Sequence, residues 1–183
     1  MFCNFNPGLS ALMKKIIFIL PCILLLSAAI YYFYPEKKLP ENSVIEKIVV
    51  TKSERKLAVY SHGVLLKTYK VSLGRHPIGP KEFEGDRKTP EGQYTIYQNN
   101  PQSTCYKNLG ISYPNADDLE RCRKTGQRPG GDIKIHGMLN GQDYWGKFHR
   151  FVDWTAGCIA VTNEEMDELY EHTPVGTPIE INP

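Results

Sequence analysis

At 183 residues the chain can hold one domain of ordinary size, and no segment repeats at a period of about 20 to 50 residues. Its 22 basic and 20 acidic residues are interspersed, so the formal charge of +2 comes with no basic arm or stripe and nothing argues for a nucleic-acid partner. Thirteen prolines and an aromatic content of 11% fit a folded, strand-rich domain with many loops, not a disordered chain.

Residues 1–15 form an N-terminal segment ending in Lys14 and Lys15, and Met13 reads as a natural start. Residues 16–34 follow as 19 uncharged positions, enough to span a bilayer. The two lysines precede the run, whereas Glu36, Lys37, Lys38 and Glu41 roughly cancel after it, which places the rest of the chain outside the cytoplasm. The segment reads as a retained anchor in the inner membrane, with Tyr31, Tyr32 and Tyr34 at the outer interface. A cleaved signal peptide with a small-residue site at Ser27–Ala29 is the alternative. A lipoprotein signal does not fit, because Cys22 follows Pro21 and lies inside the apolar run.

Residues 35–43, PEKKLPENS, read as a polar linker, and a domain is expected over 44–183. VIEKIVVTK and KLAVYSHGVLLKTYKVSLG are rich in β-branched and aromatic residues, with His62-Gly63 as a hairpin turn. The runs from Tyr94 to Tyr97, at GDIKIHG and at GTPIEINP add further strands. Helical signals are confined to NADDLERCRKTG, capped by Asn115 and stopped at Gly126, and TNEEMDELYEH, capped by Thr162 or Asn163. The expected fold is mainly β with two short helices.

Five cysteines are present. Cys3 and Cys22 lie before or within the apolar segment. Cys105 and Cys122 flank a loop and helix; joining them across 17 positions would stabilise an exported domain by about 3 kcal/mol, so a disulfide is expected. Cys158 is then the odd thiol, either a small buried residue on a strand or a nucleophile. A catalytic thiol needs a base, an orienter for that base and donors for an oxyanion. His136 ends a predicted strand and is followed by Gly137, whereas Gly157 and Cys158 offer backbone N–H groups in a turn. The 22-residue separation of His136 and Cys158 allows their two strands to be neighbours.

The order IHG, spacer, TAGCIAV, together with GDRKTPEGQYTI and LGISYPN, resembles the catalytic domain of L,D-transpeptidases (YkuD type) over roughly residues 45–183. The resemblance implies a β-sandwich-like domain that needs no cofactor or metal and acts on peptidoglycan stem peptides through a thioester. On it, Cys158 is the nucleophile, His136 the base, Gly137 the orienter through its backbone, and Gly157 with Cys158 the oxyanion site. The commoner form of the signature has histidine at position 156 and arginine or asparagine at 160, where this chain has alanines. His149 is a candidate to supply the missing imidazole. The DWTAGCIAV form resembles a subgroup that includes an amidase releasing a peptidoglycan-linked outer-membrane lipoprotein, so transfer and hydrolysis both stay open, with such a lipoprotein as a second partner. Whether residues 16–34 are an anchor or a cleaved signal, the folded part is expected in the periplasm or its extracytoplasmic equivalent.

Among the remaining residues, His76 in LGRHPIG lies in a segment the family places near its groove, and Arg150 either suits a carboxylate by bidentate pairing or lies on a solvated rim. Trp154 and Tyr144 either line the groove or fill the core. His62 and His172 read as solvated surface. No set of residues shows metal-ligand spacing. A peptidoglycan-binding module with a dead site is the non-enzymatic alternative, against which the paired Cys158 and His136 speak.

Overall fold

The computed structural model describes residues 7–183, with side chains described from residue 13 onward except at position 14; Cys3 lies outside the described residues. It divides into two units that meet between Lys37 and Lys38. In the first, Pro7–Phe33 forms helix α1. Its stretch Lys15–Phe33 is 19 residues long, has a mean hydropathy of 2.5 and buries nothing inside the protein. That is long and apolar enough to cross a bilayer.

The second unit is built on one bent sheet of eight strands: β1 (Lys47–Thr51), β2 (Lys56–Ser61), β3 (Val64–Lys70), β4 (Gly92–Ser103), β5 (Tyr106–Ile111), β6 (Lys134–His136), β7 (Ile159–Ala160) and β8 (Pro178–Asn182). Their order across the sheet is β3-β2-β1-β8-β4-β5-β6-β7. The expected hairpin forms, with Ser61 opposite Val64 and left-handed φ at both His62 (49°) and Gly63 (76°), the geometry of a type I′ turn. β4 is long enough to serve two neighbours: Gly92–Thr95 pair with β8, and Ile96 onward pair with β5. This bend, and bridges from Ser72 to Ala160 and from Gly74 to Thr155, curl the two ends of the sheet together. The sandwich-like shape expected from the sequence is thus one curled sheet. Alternating residues such as Ile48, Val50, Ile96, Leu109, Ile135 and Ile159 are fully buried along it.

Both short helices form where their caps lie. Helix α2 (Ala116–Thr125) carries a capping box between Asn115 and Asp118 and ends at Gly126 in the left-handed region. Helix α3 (Asn163–His172) carries a second box between Thr162 and Glu165 and buries Met166 and Leu169. A 3₁₀ segment over Asp143–Phe151, kinked at Gly146, was not expected from the sequence.

The expected disulfide does not form: both Cys105 and Cys122 are free thiols. Cys122 faces inward from α2, where its Sγ donates to the Glu82 carbonyl at 3.0 Å. Cys105 lies instead in the turn joining β4 and β5 and interacts with the charge of Lys134. The two residues flank one stretch of sequence but point at different neighbours.

Candidate active site

The parallel ladder of β6 and β7 sets Ile135 beside Ile159 and His136 beside Ala160. Both isoleucines are buried in the core, so strand alternation turns Lys134, His136 and the residue before β7, Cys158, to the other face. The His136 ring is held from two sides. Its Nδ1 lies 2.7 Å from the Gly137 carbonyl, to which it donates, leaving the Nε2 lone pair available. The Trp154 ring meets it edge-on at 5.6 Å. Gly137 is required by close packing: a Cβ there would stand 2.6 Å from Asn163 Oδ1 and 3.0 Å from Tyr106 Cβ.

Thr155 staples the turn that presents the thiol. Its Oγ1 donates to the Cys158 carbonyl at 2.8 Å and accepts the Gly157 N–H at 3.1 Å. Its own N–H donates to the Leu73 carbonyl at 3.1 Å. Asp153 ties the same segment to the β1–β2 turn by an ion pair with Arg55 at 2.8 Å, and to the stretch after β3 by accepting the Leu73 N–H at 3.0 Å. Gly157 has φ +138°, and a Cβ would stand 2.7 Å from the Lys88 carbonyl, so only glycine fits. The expectation that Gly157 donates to an oxyanion needs correcting, because its N–H is already taken by Thr155. The Cys158 N–H makes no hydrogen bond to another described residue and is the donor left at this turn.

The thiol is partly exposed and donates to the Asp132 carbonyl at 3.6 Å. Burial of the sulfur pushes it up to about 11, against an opposing hydrogen bond from the Lys134 backbone N–H. Burial, and then the charge of Lys134, lowers His136 below the usual histidine range, although the Gly137 carbonyl works the other way. At neutral pH the thiol is therefore protonated and the imidazole neutral. At rest the two are a protonated thiol and a neutral base, not an ion pair.

His149 is buried close enough to His136 for the two rings to interact electrostatically. Its Nδ1 is 3.0 Å from Ser72 Oγ. Burial, the Arg150 charge and His136 lower it to about 4. Because its folded value lies below the ordinary 6.5, the stability it contributes is present above pH 6.5 and is lost as pH falls through about 4. A loss of about 3 kcal/mol is expected across that window. Urea denaturation at pH 7 and pH 4.5, with His149→Phe as the comparison, measures it; equal pH dependence of the two proteins would refute it.

Arg150 is not on a solvated rim. Its side chain is only 6% exposed and pairs with Glu165 at 2.7 Å, so the carboxylate of the α3 capping box occupies it. Arg150→Ala is expected to cost about 3–5 kcal/mol by stranding Glu165, whereas replacing both partners by apolar residues costs less. Chemical denaturation of the single and double variants tests this; an unchanged midpoint in the single variant would restore the rim reading. His76 is exposed, its N–H bonded to the Arg87 carbonyl at 3.1 Å and its Nδ1 3.0 Å from the Asp86 carbonyl. Tyr144 is exposed, whereas the Trp154 ring packs on His136. His62 is exposed, but His172 is partly buried with Nδ1 2.7 Å from the Ser43 carbonyl.

Residues not singled out from the sequence also reach the site. Lys134 beside Asp132 (2.6 Å) flanks the thiol. Arg75 and Arg87 flank Ala156 in a shallow recess. Among the described residues, no group of three or more His, Cys, Asp or Glu side chains is placed to hold a metal ion.

Residues 45–181 match the family described as YkuD, the L,D-transpeptidase catalytic domain. YafK of Escherichia coli K12, named as an L,D-transpeptidase, is 33% identical over 130 residues, which is 68% of this chain and 45% of YafK. YqjB of Bacillus subtilis, named likewise, is 29% identical over 137 residues, 72% of this chain and 68% of YqjB. This chain thus spans under half the length of YafK. Among solved structures, the helical cell shape determining protein Pgp2 of Campylobacter jejuni shares the fold with a TM-score of 0.56 at 24% identity, over 76% of this chain and 48% of that one. An L,D-transpeptidase of Mycobacterium smegmatis has a TM-score of 0.52 at 15% identity, over 76% of this chain and 59% of that one.

Proposed function

The chain belongs to the L,D-transpeptidase catalytic domain (YkuD) family, and on that premise we propose that it is a cysteine acyltransferase acting on peptidoglycan stem peptides. The observation that carries the proposal is the pairing of β6 with β7, which presents the fixed His136 imidazole and the Cys158 thiol on one face of two adjacent strands.

In the proposed reaction His136 Nε2 takes the thiol proton as Sγ attacks the carbonyl of the third residue of a stem peptide. For this the thiol leaves the Asp132 carbonyl, its partner in the free protein, for the imidazole. The Gly137 carbonyl fixes the ring, and the Cys158 N–H faces the oxyanion that forms. Collapse breaks the peptide bond, and the leaving amine takes the proton from His136. The thioester at Cys158 is then opened by a second amine, or by water. Neither Arg150 nor the Gly157 N–H has a direct part. Arg75 and Arg87 contribute to the wall next to Ala156, and the His76 N–H is bonded to the Arg87 carbonyl behind it. Residues 16–34 hold the domain at the outer side of the inner membrane, and 35–43 are the linker.

The test is incubation of the full chain in detergent with defined tetrapeptide-stem muropeptides, read by mass spectrometry. Loss of the terminal residue, with or without gain of an added amine, is the expected result. Dimeric or amine-exchanged products identify transfer, whereas the free tripeptide identifies hydrolysis. No change in any muropeptide, with peptidoglycan binding intact, would favour the binding-module reading.

A further inference from the structure

Lys134 stands against the thiol, and the reaction as written gives it no part. One position back from the paired Ile135 and Ile159, Lys134 and Cys158 are neighbours across the β6–β7 ladder, and the Lys134 backbone N–H donates to the Cys158 sulfur. Ile133 and Ile135 on either side of Lys134 are buried in the core, so its side chain leaves the sheet on the face of His136 and Cys158. There the ammonium meets the Asp132 carboxylate at 2.6 Å. Asp132 has left-handed φ (60°), and this one residue supplies both the carbonyl at which the thiol rests, at 3.6 Å, and the carboxylate that holds Lys134.

The two charges of this pair are not equally screened. The Lys134 side chain is 27% exposed and that of Asp132 75%, so water weakens the carboxylate's field at the sulfur more than the ammonium's. Few other titratable groups face these atoms: Cys105 reaches the thiol from the β4–β5 turn, Tyr97 faces the ammonium from β4, and His136 lies two positions along β6. The hydrogen bond to Asp132 keeps Lys134 above the ordinary lysine range, so it is a cation wherever the thiol reacts. Burial is the larger influence on both reacting groups, but the Lys134 charge lowers each of them. It eases formation of the thiolate and keeps the imidazole free of a proton into mildly acidic pH.

We infer that Lys134 is the cationic partner of the Cys158 sulfur, and that Asp132 holds it in place while tempering its charge. As the proton passes from Sγ to His136 Nε2, the electron pair left on sulfur faces the Lys134 N–H and the Lys134 ammonium. The part this plays in turnover rests on the acyl-transfer reading, whereas its effect on the thiol does not. Replacing the cation and replacing its counter-ion therefore change the thiol in opposite directions.

The experiment is alkylation of the full chain in detergent by iodoacetamide at pH 8.5, with the adduct counted by mass spectrometry on the peptide containing Cys158. Iodoacetamide is neutral, so its own charge does not enter. A His136→Ala background leaves the rate to the thiolate alone. Lys134→Met, which keeps the backbone N–H and removes the charge, should react at least about threefold more slowly than the parent. Asp132→Asn should react about threefold faster, and asparagine suits the left-handed backbone, so the carbonyl at the thiol stays where it is. Lys134→Arg, which restores the cation, should return the rate to within about twofold of the parent. A merely structural role gives changes of one sign, because loosening the site exposes the thiol in every variant. Equal rates in the parent, Lys134→Met and Asp132→Asn, or changes of the same sign in the two, would overturn the inference. If Lys134→Met has no thermal unfolding transition, Asp132→Asn decides, and no acceleration there overturns it. The opposed changes in a protein whose wild-type form turns over no muropeptide would support the role of Lys134 at the sulfur and count against acyl transfer; their absence beside intact turnover would sink the inference alone.

Discussion

Cys158→Ala is expected to abolish turnover of stem peptides, by at least about 10⁴-fold, while leaving the fold intact. The loss is large because removal of a nucleophile deletes the covalent path and does not merely weaken binding. Of the other thiols of the domain, Cys122 is buried and hydrogen-bonded to the Glu82 carbonyl, and Cys105 lies in the β4–β5 turn, on neither of the strands that carry the proposed pair. The fold should survive because the turn is held by Thr155 and Asp153, not by the sulfur. Muropeptide turnover and the thermal midpoint, measured on the same preparation, check both halves. Residual turnover within tenfold of wild type would mean that the thiol is not the nucleophile.

The second large effect is expected for His136→Ala, which should slow acylation at neutral pH by about 10² to 10⁴. The pH profile carries more information than the size of the loss. His136 is lowered from 6.5, so the wild-type rate should fall only below that pH, as the imidazole takes up a proton and ceases to be a base. Above it the rate should be level through the neutral range and rise again towards about 11, where the thiolate forms unaided. In His136→Ala the level region should vanish, and the rate should climb about tenfold per pH unit with the thiolate fraction. A pre-formed thiolate–imidazolium pair predicts the opposite sign on the alkaline side, a fall as the imidazolium loses its proton. His149→Ala should keep the level region and mainly weaken substrate use. If His149→Ala loses the level region and His136→Ala keeps it, the two imidazoles exchange roles.

Where the sequence carried local chemistry, the fold was legible. The caps at Asn115 and Thr162, and the His62-Gly63 turn, depend on neighbours within four positions, and each formed where expected. The 3₁₀ segment was not legible, because Gly146 breaks its period and its aromatic residues are split between exposed Tyr144 and Trp145 and a buried side at His149. The disulfide expectation failed because separation along the chain says nothing of direction: Cys122 faces the Glu82 carbonyl, and Cys105 belongs to another element. For the same reason Arg150, near the thiol in sequence, is consumed by Glu165, while Arg75 reaches the site from a loop after β3. The spacing of His136 and Cys158 did anticipate neighbouring strands. The occupation of the Gly157 N–H by Thr155 could not be read, because it depends on a turn closed through a side chain.

The central claim is that Cys158 is an acylatable thiol served by His136. The most direct measurement is mass spectrometry of the full chain after exposure at pH 7.5 to a carbapenem, an activated acyl donor that a thiolate opens. One ligand mass on the peptide containing Cys158, formed at least about a hundredfold more slowly in His136→Ala, is the expected result. No adduct on the wild type, or an adduct retained in Cys158→Ala, would contradict it.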